Sequence, residues 1–193
     1  MKREYCEVVL EGSLDLMKGF VVGVLEGKGI QGEAIFSEDH HVENESAFGQ
    51  MLRLIGGRGN RFRLIIDTGF FKLFKESLER RKEELALKIV SEKRIRQASF
   101  GFRFRAYTRE LGGELKALFG NPPEGLRVKD YNPEEKVLPE GKGMEAYAPL
   151  HEYEAKANGT IYGPVRDVMD FYGRMEHHDM VKLDKIKLEY DNA

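Results

Sequence analysis

Residues 99–104 read SFGFRF, in which Phe100, Phe102 and Phe104 alternate with small or charged neighbours. That is the period-two pattern of a strand with one buried face. The same alternation occurs 94 residues earlier, in Cys6, Val8 and Leu10. Downstream of each strand the period changes to that of a helix. Leu16, Phe20 and Val24 follow the first, and Leu111, Leu115 and Phe119 the second, an offset of 95. A glycine and a short strand come next in both places, GEAIF at 32–36 and GLRVKD at 125–130.

The parallel holds to the end of each half. RFRLIID (61–67) and EYEAKAN (152–158) have strand composition and are closed by DTG and NGT. Amphipathic helices follow, with Phe70, Phe74 and Leu78 on one apolar stripe and Val165, Val168, Met169 and Tyr172 on the other. Pro164 stands at the start of the second, where its missing N–H costs nothing. LALKIV (85–90) and MVKLDKIKL (180–188) supply the last strands. The order is β-α-β-β-α-β, twice, which is the ferredoxin-like arrangement. The expected fold is therefore α+β, a tandem duplication of a ferredoxin-like unit with antiparallel sheets, divided into repeats 1–95 and 96–193. Each repeat carries an insertion between its second and third strands. One is 39–60, with a short helix SAFGQMLRLI ended by GGRGN; the other is 131–151, with three prolines and two glycines. Long loops of this kind are lids, binding loops or disordered segments. The second insertion is expected to be the most mobile internal segment.

Composition narrows the class. Of 193 residues 41% are hydrophobic and 33% charged, a globular balance, and the net charge is −2. The charge is even, with 16 basic and 16 acidic residues in 1–95 and 15 against 17 after that. No overall cationic field recruits nucleic acid or an acidic membrane. A lone Cys6 fits a reducing compartment, and the acids at 4, 7, 11 and 15 interrupt any signal-peptide core. A soluble cytoplasmic protein is expected.

Several short motifs carry chemistry elsewhere. GKGIQG (27–32) has the letters G-x-G-x-x-G but follows a helix and leads into a strand, the reverse of the dinucleotide-binding context. Asp67-Thr68-Gly69 resembles the catalytic triplet of aspartic proteases, yet the second half offers NGT and so no partner carboxylate; Asp67 is read as a helix N-cap. SFGFRF resembles the aromatic strand of RNA-recognition modules but is one residue short of that spacing, so its phenylalanines are read as core. Around them, residues 88–109 hold seven basic side chains and one acid, Glu92.

Four of the five histidines fall in two clusters with carboxylates. Glu38 and Asp39 precede His40 and His41, and Glu176 precedes His177, His178 and Asp179. Imidazole with carboxylate suits zinc or iron, so His40, His41, His177, His178, Asp39 and Glu176 are the candidate metal ligands. Topology puts the two clusters at opposite margins of different repeats, which predicts that they do not share an ion. Paired units of this topology resemble the amino-acid-sensing regulatory modules called ACT domains. They also resemble the dimeric α+β barrels of small monooxygenases and chlorite dismutase-like haem proteins. The first resemblance implies a small-ligand-binding or regulatory module with a site at the inter-repeat or subunit interface, and the bare sheet faces lead us to expect a homo-oligomer. The second implies a metal- or haem-dependent enzyme using the histidine clusters. A third reading is RNA binding through 88–109. The sequence identifies no cofactor and no substrate, and leaves open whether the chain is an enzyme.

Overall fold

The computed structural model describes residues 4–13, 15–17, 19–20, 52–81, 86–137 and 153–191. Eight strands appear among them: β1 Tyr5–Glu11, β2 Leu52–Arg58, β3 Arg61–Asp67, β4 Lys88–Ala106, β5 Arg127–Val137, β6 Tyr153–Gly163, β7 Val181–Leu183 and β8 Lys187–Tyr190. The longer helices are α1 Thr68–Arg80, α2 Arg109–Gly120 and α3 Val165–Met175. A fourth helical stretch covers 15–17 and 19–20. The class is mixed α+β, and every strand pair with a defined register is antiparallel.

The chain divides into two compact units, Met1–Arg96 with Tyr190–Ala193, and Gln97–Glu189. In the first the strand order is β2-β3-β1-β4; in the second it is β5-β6-β4, with β7 also paired to β4. Strand β4 is continuous over 19 residues and contributes its first half to one unit and its second to the other. Lys88–Val90 of LALKIV and the whole of SFGFRF are therefore parts of one strand, whereas Ala86 and Leu87 precede it and Leu85 lies outside the described residues. Nothing between them breaks it, since SEKRIRQ contains neither glycine nor proline.

In the first unit Cys6, Val8 and Leu10 pair with Ile66, Leu64 and Phe62 and share one buried cluster with Phe70, Phe74 and Leu78 of α1. Asp67 caps that helix, its carboxylate accepting from the N–H groups of Gly69 (2.9 Å) and Phe70 (3.2 Å). In the second unit Phe100, Phe102 and Phe104 are buried, and Phe102 stacks on Phe119 of α2 with ring centroids 4.2 Å apart. Gly112 lets that helix approach β6, because a Cβ there would meet Ala155 and the Tyr153 hydroxyl at 2.8 Å.

Four expectations are corrected. NGT does not close the strand EYEAKAN, because β6 runs through Asn158, Gly159 and Thr160 to Gly163, paired with β4 throughout. Residues 52–58, placed in the insertion 39–60 and partly in a helix, form β2, paired with β3 from Leu52↔Ile66 to Arg58↔Arg61. Gly59 and Asn60 are a two-residue hairpin turn, with Gly59 at φ 63, and this local closure outweighs the helical spacing of the apolar residues. Residues 131–137, placed in the insertion 131–151, belong to β5, which passes a bulge between Lys129 and Asn132 with Asp130 at φ 55. Pro133 is tolerated there because, among the described residues, β5 pairs on one side only. The last strand is two, β7 and β8, interrupted where the Asp184 N–H bonds the Gly101 carbonyl at 2.8 Å. The rest of the insertions (39–51 and 138–151), strand GEAIF and motif GKGIQG lie outside the described residues.

Candidate functional site

Burying Phe100, Phe102 and Phe104 against α2 and α3 has a consequence fixed by the pleat. Arg103 and Arg105 must project from the opposite side of β4, which is helix-free among the described residues. The register then assembles their neighbours. Arg103 lies between Asn158 of β6 and Lys182 of β7, and Asn158 pairs in turn with Asn132 of β5. One row of the sheet is thus Lys182, Arg103, Asn158, Asn132. The next is Arg105, Lys156, Glu134. Further along, Thr160 faces Lys129 and Tyr162 faces Arg127.

These side chains line a cleft of about 510 Å³ that includes Arg103, Arg105, Lys156, Lys182, Asn132 and Asn158. Glu134, Asp179, Met180 and Tyr107 complete its polar and apolar rim. The second row is internally compensated. Lys156 Nζ is 2.8 Å from Glu134, and that contact holds the Glu134 carboxyl below its usual range. Arg105 is 3.1 Å from Glu154, and hydrogen bonding to Tyr107, then the Glu154 charge, push its guanidinium up. The first row is not. Lys182 makes no ion pair among the described residues, and Arg103 has only Asp184, at 3.9 Å. Lys129 and Arg127 are likewise exposed and without an ion pair among the described residues.

The residues expected to bind metal are divided. Asp39, His40 and His41 lie outside the described residues. Glu176, His177 and His178 form the turn after α3, where the His177 ring is 3.8 Å from Glu176 and His178 Nδ1 accepts from the Met180 N–H at 3.2 Å. Among the described residues no three His, Cys, Asp or Glu side chains converge as a ligand set. Cys6 is buried, its Sγ 3.6 Å from the Ile66 carbonyl, and burial first, then Glu92, pushes its thiol up to about 12. A thiol so held is a poor nucleophile.

Sequence reasoning found Arg103 and Arg105 within the basic stretch 88–109. It missed Lys182, Lys129, Arg127 and Lys156, which come from other strands. Alternation alone could have flagged Lys182, between buried Val181 and half-buried Leu183.

No family model and no curated protein matches the chain. Among solved structures, it is similar to an unknown protein from Galdieria sulphuraria at 14% identity, covering 98% of this chain and 99% of that one, with TM-score 0.27. A candidate glycine cleavage system transcriptional repressor matches at 8% identity, 98% of both chains and TM-score 0.26. A Cas6 protein in its product complex matches at 14%, 90% of both chains and TM-score 0.33. None of the three informs the reading of the site. Among the described residues no helix is long and apolar enough to cross a membrane.

Proposed function

We propose that the chain is a non-catalytic binding module for an anionic ligand, held on the helix-free face of the second unit's sheet. One observation carries this reading. Arg103 and Lys182 are direct cross-strand partners. Like charges so placed repel and destabilise a sheet, and Asp184 at 3.9 Å from Arg103 offsets little of that. A bound phosphate or carboxylate would relieve the repulsion by accepting from both cations, with the exposed Asn158 and Asn132 amides as further donors in the same row.

The scaffold of this reading is a tandem pair of ferredoxin-like units. Supporting it are the common β-α-β-β-α-β element order and the strand order, which runs second-third-first-fourth in the first unit and begins the same way in the second. In such a unit helices cover one sheet face and leave the other for ligands.

Calorimetric titration of the full chain with inorganic pyrophosphate at low salt tests the proposal. Binding is expected, and Lys182→Glu should weaken it at least tenfold. Arg94→Ala should not, because Arg94 already pairs with Glu4 and with Asp191 at 3.8 Å. Absence of binding, or equal losses in both variants, would overturn it.

A further inference from the structure

We infer that the anion is a single strand of nucleic acid laid across the helix-free face of the second sheet, an inference that rests on the anion-binding reading above. The first reason is the spread of charge. Besides Arg103, Arg105, Lys156 and Lys182, the same face carries Arg127, Lys129 and Lys136, against Glu134, Glu154 and Asp184. The cations without ion pairs among the described residues stand at both margins of the face, Lys182 on β7, and Arg127, Lys129 and Lys136 on β5. Crossing from β7 through β4 and β6 to β5 takes three strand spacings, about 14 Å. From Tyr162 to Lys156 along β6 is about 20 Å. A single phosphate satisfies one margin and leaves the other bare. A chain of phosphates reaches both.

The second reason is Tyr162. Its ring is half-exposed between Arg127 and Ser99, and it makes no hydrogen bond or ring contact among the described residues. Such a ring beside cations is a stacking platform for a base, which is how sequence-tolerant single-strand sites are built. A duplex fits less well, because its bases are already stacked and cannot use the ring. The net charge of −2 does not weigh against this, since the partner meets a local field and not the sum over the chain.

Fluorescence anisotropy of labelled U10 and dT10 with the full chain, over a salt series, tests the inference. Four phosphate contacts, from Arg103, Lys182, Arg127 and Lys129, give a slope of log K against log salt of about −2.8, at roughly −0.7 per contact. The double variant Lys129→Glu, Lys182→Glu should bind at least tenfold more weakly with a flatter slope. Tyr162→Ala should cost roughly tenfold and Tyr162→Phe little. If pyrophosphate binds at Lys182 while neither oligonucleotide competes, the nucleic-acid inference falls and the anion-binding reading stands. If neither binds, both fall. If oligonucleotides bind but Tyr162→Ala has no effect and heparin competes charge for charge, the face is a general polyanion surface and the inference is overturned.

Discussion

The helix-free faces of the two units solve the same problem in opposite ways. In the first, acids on β1 meet bases on β3. Arg61 Nε is 2.8 Å from Glu11, and Arg63 Nε is 2.5 Å from Glu7. Glu7 is only 5% exposed and accepts a second hydrogen bond, from the Tyr190 hydroxyl at 2.6 Å, while Lys93 Nζ sits 5.3 Å from the centroid of the tyrosine ring. Both acids of β1 are thus paired within the chain, and among the described residues only Arg58, opposite Arg61 beside the hairpin turn, repeats the like-charge arrangement. In the second face Arg103 stands opposite Lys182, and Lys129 and Arg127 have no ion pair among the described residues. A face that neutralises itself needs no ligand. One that leaves cations facing each other loses stability which only an outside anion restores.

The comparison assumes that the helix-covered sides are equivalent, and the largest expected effect checks that. Phe102 is 2% exposed and Leu64 0%, each central to its own unit's core. Phe102→Ala should cost about 3–5 kcal/mol and Leu64→Ala about 2–5 kcal/mol in urea unfolding. A cost below about 1 kcal/mol at either site would mean that one unit lacks a proper core, and the faces could not be compared.

Alkali should act on the first unit, whose sheet holds a protonated group with a raised pKa on each face. The Cys6 thiol moves from an ordinary 9.0 to about 12, and burial, then the hydrogen bond to Glu7, raises the Tyr190 hydroxyl above its ordinary 10.0. The folded state keeps protons that the unfolded chain releases, so this stability is complete below pH 9 and declines as pH rises towards 12. From Cys6 alone the loss by pH 10.5 is about 2 kcal/mol. Urea midpoints at pH 7, 9 and 10.5 should fall in that order, and Cys6→Ala should flatten the decline. A level profile would show that the thiol is not shielded.

Much of this fold was legible because its cores are written in short-range periodicity. Phe100, Phe102 and Phe104, their counterparts Cys6, Val8 and Leu10, and the Asp67 cap depend only on neighbours a few positions apart. What was missed depends on pairing. Leu52–Ile55 reads as the end of a helix until the Gly59–Asn60 turn sets Leu52–Arg58 against Arg61–Asp67. Asp130 looks like a strand end until its bulge carries β5 on to Val137. The site was half visible for the same reason. Arg103 and Arg105 share a strand, but Lys182 reaches Arg103 only through a register that no local pattern encodes.

Glu7→Gln sharpens the contrast at moderate cost. The amide keeps most of the packing but removes the charge that Arg63 and Tyr190 share. Hydrogen bonding to Glu7 is the first cause of the raised Arg63 guanidinium. Half of the Arg63 side chain is exposed, so solvent takes up part of the loss. About 1–2 kcal/mol is expected, measured by urea unfolding at pH 7. No change would mean that the first face is as tolerant as the second, and that self-neutralisation is not what distinguishes them.

The smallest effect is the most telling because its sign is unusual. Lys182→Glu places a carboxylate opposite Arg103 and converts a repulsive cross-strand pair into an attractive one. Stability should rise, by about 0.2–1 kcal/mol, while anion binding is lost. The reciprocal change, Glu11→Lys, replaces the one acid beside Arg61, which already faces Arg58, with a further cation and should lower stability by a similar amount without touching binding. Both sites are at least partly exposed, so added salt should shrink both shifts. Urea midpoints at low and high salt, measured beside a pyrophosphate titration, read the two quantities separately. A Lys182→Glu protein that is less stable than the parent would show that Asp184 already compensates the Arg103–Lys182 pair. The second face would then have no unmet demand for an anion, and the difference between the two faces would lose its functional meaning.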